Sequence, residues 1–425
     1  MEESKQLIRA VGFWGLVAMC INAVVGSGVF LLPTESYKLL GPFSLWAPLI
    51  FAIPVFILVL CFAEAASHFS EPGGAYLYAR TAFGDFVGFE TGWMNWIARL
   101  TSLASLSNGF VVSLARLYPP LGVGAWRASI IIGSIAILAL IHIVGVKYGA
   151  ASIYVFTFGK VVPLVLFIVV SLIAFRTNPI PASMHLPPAN TNWTDAALFM
   201  LFAYAGFENL GVPAGEYRNP RRDLPGALLV GTLCIAAIYV LTQLGAMATI
   251  PNLSNSATPI ADAAALLIPA GALIVTVGAL LSMAGTNSGT VLEGSRMLYA
   301  LSLDRNMGPV SYVHPKFRTP VVAIAIHVIV ATILALGGSF ATLALLSAVA
   351  RLATYLFTCA AVPRLRKLNE GFRTPGLIMP ILGVIVSLLI VVTLDPKKLL
   401  AGAIALVVGA LVYMLSARRL LNKAA

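Results

Sequence analysis

Two glycine-bearing interruptions inside apolar segments are the residues best placed to do chemistry in this chain. The first is Val25-Gly26-Ser27-Gly28-Val29-Phe30, followed by Pro33, in an apolar run from Phe13 to Tyr37. The second is Ala203-Tyr204-Ala205-Gly206-Phe207-Glu208, followed by Gly211 and Pro213, in the segment Asp195 to Glu216. Glycine lets the backbone leave the helix, and each departure frees N–H and C=O groups where lipid supplies no partner. A half-helix ending before a break offers carbonyl oxygens to a cation. One starting after it offers N–H groups and the positive end of its dipole to an anion. Glu208 lies beside the second break, and a carboxylate within a span is costly and usually functional. It can carry a proton or hold an arginine or hydroxyl partner. Lys160 stands about nine residues into another apolar run, which at ~1.5 Å per residue puts it ~14 Å deep, near the middle of a bilayer.

Enzymatic chemistry finds no support. The five histidines, His68, His142, His185, His314 and His327, are scattered without zinc-ligand spacing. No acid/base or metal-ligand constellation shares one depth, so no catalytic residue, metal or cofactor is expected. Cys20, Cys61, Cys234 and Cys359 all fall in apolar runs and read as small hydrophobes, with none suited to a partner disulfide. No ancillary subunit is indicated.

The elements that must position these residues are membrane spans. The chain has 425 residues, 59% hydrophobic and only 10% charged, with a mean hydropathy of +0.93. That composition excludes an ordinary soluble globular class. Twelve candidate spans lie near 13–37, 42–66, 86–116, 126–146, 152–175, 194–216, 226–249, 270–300, 320–337, 341–362, 375–394 and 398–416, each near the ~20 residues that cross a bilayer. The longest polar connections are 67–85, 176–193 and 302–319, so residues 1–425 form one polytopic membrane domain. The net charge of +11 is not a nucleic-acid patch, because the basic residues alternate between loops. Lys5, Arg9, Arg80, Lys147, Arg218, Arg221, Arg222, Arg305, Lys316, Arg318, Arg364, Arg366, Lys367, Arg373, Arg418, Arg419 and Lys423 fall on one side. Lys38, Arg116, Arg127, Arg176, Lys397 and Lys398 fall on the other. Both termini are therefore expected in the cytoplasm, with the chain multi-pass in the cell membrane and in contact with lipid. The first apolar run lacks a small-residue cleavage site and is expected to remain in the mature protein.

Broken segments open two sets of five spans, 13–175 and 194–362, leaving 375–416 as an appendage. An odd number of spans per repeat inverts the halves. Paired broken helices at matching positions mark a secondary transporter's substrate site better than any other sequence feature. A channel suits such paired midplane breaks less well than a bound, occluded substrate.

Longer motifs strengthen this reading. Gly26-Ser27-Gly28-Val29-Phe30-Leu31-Leu32-Pro33 and Pro72-Gly73-Gly74-Ala75-Tyr76-Leu77-Tyr78-Ala79-Arg80 with Phe83-Gly84 resemble motifs of the amino acid-polyamine-organocation transporter superfamily. So do Phe202-Ala203-Tyr204-Ala205-Gly206-Phe207-Glu208, the stretch Glu216 to Pro225, Ser295-Arg296, Tyr299-Ala300 and Asp304-Arg305. The resemblance implies an all-α integral membrane fold of twelve transmembrane helices in a five-plus-five inverted repeat, with helices 1 and 6 broken. It also implies amino acids or related amines as substrates.

An amino acid zwitterion would then place its carboxylate on the backbone of Gly26, Ser27 and Gly28, the Ser27 hydroxyl assisting, and its ammonium on carbonyls near Val24, Phe202 and Ala205. Ala23, Tyr204, Phe207 and Asn287 are expected around the side chain, Phe207 as a gate. Thr286 and Ser288 are further candidates for a polar wall. In the sodium-independent members that the chain resembles, a fifth-helix lysine followed by a proline supplies the charge of a coupling cation, which assigns coupling to Lys160, with Pro163; Glu208, as a carboxylate within a span, is the other coupling candidate. Arg99 and Arg351 can pair with Glu64, Glu208 or Glu293. The expected activity is sodium-independent, proton-coupled transport of small neutral L-amino acids of the alanine/serine class by alternating access. The alternative is an exchanger of the arginine/agmatine antiporter type. Against it, Phe202 stands where those proteins carry tryptophan, and the eighth span has no tryptophan to stack on a guanidinium.

Overall fold

The computed structural model describes residues 11–69, 73–144, 149–177, 187–188, 191–211, 217–305, 307–368 and 371–424. Lys5, Arg9, Pro72, Lys147, His185, Pro213 and Glu216 lie outside the described residues. The first helices are α1 (Phe13–Val24), α2 (Gly28–Leu40), α3 (Ala47–Ser67), α4 (Gly74–Phe83), α5 (Asp85–Ala115), α6 (Gly124–Val144) and α7 (Gly149–Thr177). Then come α8 (Trp193–Tyr204), α9 (Pro220–Thr249), α10 (Pro259–Leu267), α11 (Gly271–Arg305), α12 (Val321–Gly337), α13 (Phe340–Leu365), α14 (Ile378–Val392) and α15 (Pro396–Ala424). No strand forms among the described residues. An isolated bridge between Val11 and Tyr217 ties the segment before α1 to the segment before α9.

Among the described residues, seven helical stretches are long and apolar enough to cross a membrane, and four shorter apolar helices accompany them. Two helices fall inside stretches that the sequence reads as connections. Gly73 (φ +153°) and Gly84 (φ +89°) turn the chain at either end of α4, and Pro259 starts α10 at a position that needs no N–H donor. A 3-10 turn, Gly41–Trp46, also precedes α3, which starts later than the expected span.

The centre of the bundle is α5, 31 residues long and buried along most of its length. It packs chiefly on α13 and α11, while α9 packs on α1, α3 and α7. The outer faces carry exposed large apolar side chains: Ile132, Ile137 and Leu140 on α6, Ile381, Leu388 and Val392 on α14, and Leu400, Val407 and Leu411 on α15. In water such belts would be adhesive; in lipid they are the ordinary outer surface of a span.

Candidate functional site

Both interruptions are real breaks. Helix α1 stops at Val24, where Val25 turns extended (φ −71°, ψ 90°), and helix resumes at Gly28. Helix α8 stops at Tyr204. Ala205 is extended and Gly206 takes φ +130° before a 3-10 turn over Phe207–Asn209. The breaks meet backbone to backbone. A Cβ built on Gly206 would stand 2.5 Å from the Ala23 carbonyl oxygen, and one on Gly28 would stand 3.0 Å from the Ala203 Cα. Glycine 206 is thus needed twice, for a left-handed φ and for a contact that no side chain permits.

On the N-terminal side of α2 the N–H groups of Gly26, Ser27, Gly28 and Val29 find no acceptor among the described residues. Those of Phe30 and Leu31 bond to the Ser27 carbonyl at 3.1 and 3.0 Å. The Ser27 hydroxyl is buried without a partner among the described residues. Free donors of this kind at a helix start are suited to an anion.

The carbonyl ends are partly occupied by protein donors. Lys160 on α7 is completely buried, and its Nζ donates to the carbonyls of Asn22 and Val25, each at 3.0 Å. The hydroxyl of Ser282 on α11 lies 3.3 Å from the Val25 oxygen and 3.4 Å from that of Gly26. Tyr239 on α9 donates to the Ala203 carbonyl at 2.6 Å and sits 3.4 Å from that of Val24. An ammonium and two hydroxyls from three helices therefore clasp both breaks. Sequence reasoning isolated Lys160 by its charge and depth, but Tyr239 and Ser282 look like ordinary span residues until the helices are assembled.

Beside the breaks lies a buried charge cluster. Glu208 Oε1 accepts from Arg351 Nε at 2.9 Å and from Arg99 at 3.1 Å, while its Oε2 accepts the Gly206 N–H at 2.8 Å. Arg99 also bonds Asn209 and pairs with Glu293 at 3.1 Å. Arg351 reaches the hydroxyls of Ser102, at 3.0 Å, and Ser347. Of the two roles open to Glu208, the arginine-paired one is what the geometry displays. Glu64 is not in this cluster: Arg366, at 2.6 Å, and Thr374 hold it.

A cavity of about 40 Å³ opens between the breaks, room for roughly three waters at the ~10–15 Å³ each one's centre needs. Ala23, Val24, Gly26, Ser27, Gly28, Phe202 and Ala205 all line it, as their sequence positions suggest. Its remaining wall includes Arg99, Ser102, Thr286, Thr290 and Arg351; intramembrane charge flags the arginines in the sequence, but nothing there aims them at the site.

Tyr204, Phe207, Asn287, Lys160 and Glu208 stand off the wall. Tyr204 donates to the Pro48 carbonyl at 2.8 Å, Phe207 stacks on Tyr355 and makes a T-shaped contact with Phe62, and Asn287 donates to Ser107 at 3.3 Å.

Residues 11–397 match the family described as "Amino acid permease". The chain is 30% identical over 385 residues to the serine/threonine exchanger SteT of Bacillus subtilis, covering 87% of this chain and 86% of that protein. It is 24% identical over 443 residues to the branched-chain amino acid permease BcaP of the same organism, covering 98% and 94%. An uncharacterized transporter of Mycobacterium bovis, Mb2022c, is 24% identical over 432 residues, covering 99% and 93%.

Proposed function

The chain belongs to the amino acid permease family, and on that footing we propose that it is a sodium-independent secondary transporter of small neutral L-amino acids, working by alternating access and driven by protons. The observation that carries this reading is the seat of Lys160. Its ammonium sits on the Asn22 and Val25 carbonyls, with the Ser282 hydroxyl of α11 on the same Val25 oxygen. A coupling cation would seek those same free helix-end oxygens, so a resident ammonium makes sodium unnecessary there.

The substrate carboxylate binds the free N–H groups of Gly26, Ser27 and Gly28 and the Ser27 hydroxyl. The ammonium binds carbonyls of Val24, Phe202 and Ala205, and Ala23 closes the pocket beside them. Glu208 serves coupling by holding Arg99 and Arg351 against the second break. Phe207, stacked with Tyr355 and Phe62, acts as a gate one layer beyond the cavity, with Tyr204 and Asn287 bracing its surroundings.

A cavity as small as about 40 Å³ favours a small substrate over one with a long or aromatic side chain. The twelve spans form repeats at 13–175 and 194–362, with 375–416 appended. Both termini face the cytoplasm, and the protein resides in the cell membrane without an ancillary subunit. A second reading, obligatory amino acid exchange, is favoured by the likeness to a serine/threonine exchanger.

Radiolabelled L-alanine and L-serine uptake into sodium-free proteoliposomes, with and without an inward proton gradient, separates the two. Gradient-driven accumulation supports the proton-coupled reading. Uptake only into vesicles preloaded with amino acid makes the protein an exchanger. Accumulation that appears only once sodium is added to the vesicle system refutes the sodium-independent reading.

A further inference from the structure

Proton coupling needs a group that binds substrate-linked protons and also reaches water. Lys160 and Glu208 are both sealed: Lys160 is 0% exposed and Glu208 3%, and Glu208 already accepts from two guanidiniums and a backbone N–H. Glu293 on α11 is placed differently. Its side chain is 32% exposed, and the one ion pair it makes among the described residues joins Oε2 to Arg99 at 3.1 Å.

The same face of α11 leads to the substrate cavity. Thr286 and Thr290 line that cavity, and Glu293 follows Thr290 by three residues, one turn further along the same helix face. Gly289, four residues before Glu293, meets no atom of another helix within 4 Å of where its Cβ would be, among the described residues. That stripe points inward, because Arg99, which Glu293 meets, is itself a buried cavity-lining residue. Glu293 is 12 residues from Arg305 at the end of α11, which the proposed topology puts on the cytoplasmic side.

We propose that Glu293 is the proton-binding site of the transport cycle, with Arg99 carrying its state to the substrate. This rests on the proton-coupled reading above. Ionised Glu293 and Glu208 share the Arg99 guanidinium between them. A proton taken from water onto the Glu293 carboxylate removes one of those partners, and the freed Arg99 N–H groups turn to the cavity, where they add donors for the substrate's carboxylate. Proton and substrate then bind together, and loss of substrate on the far side lets Arg99 return and expel the proton. The surrounding titratable and charged groups agree with this assignment. Arg99 faces Glu293 from α5, and Arg351 of α13 and Glu208 act through it. His327 of α12 packs on Gly294, His142 of α6 is bonded to Ser288 at 3.1 Å, Lys160 of α7 is held by α1 carbonyls, and Arg296 and Arg305 lie on α11 itself.

The test compares Glu293→Gln with the native chain in the same proteoliposomes, reading gradient-driven accumulation and counterflow exchange of radiolabelled L-serine side by side. The expected result is that accumulation falls at least about tenfold further than exchange, within the usual range of site-to-site coupling. Equal retention of both activities by Glu293→Gln overturns the proposal. If native protein exchanges but never accumulates, the proton-coupled reading falls and takes Glu293 with it, an outcome visible without any variant. If Glu293→Gln loses both activities together, Glu293→Asp decides: a displaced pH profile of accumulation supports the assignment, and a profile superimposable on the native one overturns it.

Discussion

Replacing Gly206 by alanine tests whether the two breaks form a single site. The new Cβ would lie 2.5 Å from the Ala23 carbonyl oxygen, about 0.9 Å short of the ordinary 3.4 Å contact. The obstacle is backbone, so no side chain can swing aside. Either α1 and α8 separate by nearly 1 Å at the cavity, or residue 206 gives up its φ of +130°, a conformation that costs other residues about 1–3 kcal/mol. Both routes displace the carbonyls and N–H groups assigned to the substrate, and a misplacement of ~1 Å can cost on the order of a hundredfold in a positioned site. Counterflow exchange of L-serine at subsaturating concentration is expected to fall by ~10- to 100-fold, in protein that still elutes as a single species in detergent. Gly133→Ala is the control, since among the described residues no atom of another helix lies within 4 Å of its added methyl; it should transport as the native chain does. Transport by Gly206→Ala within about threefold of native, ~0.65 kcal/mol, would refute the claim that the apposed breaks hold the substrate.

Other substitutions probe the remaining parts. Ser27→Ala removes a buried hydroxyl that has no partner among the described residues, so the thermal midpoint should stay put while KM rises by about 2- to 12-fold, the equivalent of one hydrogen bond worth ~0.5–1.5 kcal/mol. Lys160→Met strips the donor from two helix-end carbonyls and should abolish gradient-driven accumulation in sodium-free proteoliposomes. Arg351→Leu leaves Glu208 with one guanidinium instead of two, and breaking a buried ionic group in this way costs about 3–5 kcal/mol, to be read as a lowered midpoint in a detergent thermal-shift assay. Tyr239→Phe uncovers the Ala203 carbonyl and should weaken exchange a few-fold, roughly 1 kcal/mol.

Much of the site was legible because its signals are local. A glycine inside an apolar run, or a lysine at mid-depth, is anomalous whatever its neighbours are, and Gly26, Gly28, Gly206 and Lys160 stood out on that ground. Arg99 and Arg351 were equally visible as intramembrane charges, but choosing Glu208 and Glu293 over Glu64 required knowing that Arg366 already holds Glu64. Direction was harder to read than depth. Phe207 follows the helix-breaking glycine, yet φ +130° at Gly206 turns its ring onto Tyr355 and Phe62 rather than the cavity. Tyr239 gave no signal at all, since an aromatic in an apolar helix looks the same facing lipid or capping a carbonyl. Helix α4 sits in what reads as a polar connection, its ends set by two positive-φ glycines instead of by apolar periodicity.

The clasp on the first break also imposes an order on biosynthesis. The Asn22 carbonyl receives its donor from a lysine 138 residues later, and the Ala203 carbonyl is capped by a tyrosine that also reaches back 215 residues to Val24. At ~5–20 residues per second of synthesis, α1 waits roughly 7–28 s for Lys160, counting the 138 residues between, and up to about 40 s for Tyr239. Through that interval its unravelled end has polar groups that lipid cannot satisfy. The nascent first helix must therefore linger where water or an insertion factor can tend that end, and it settles into the bilayer interior only as part of a crowd of later spans.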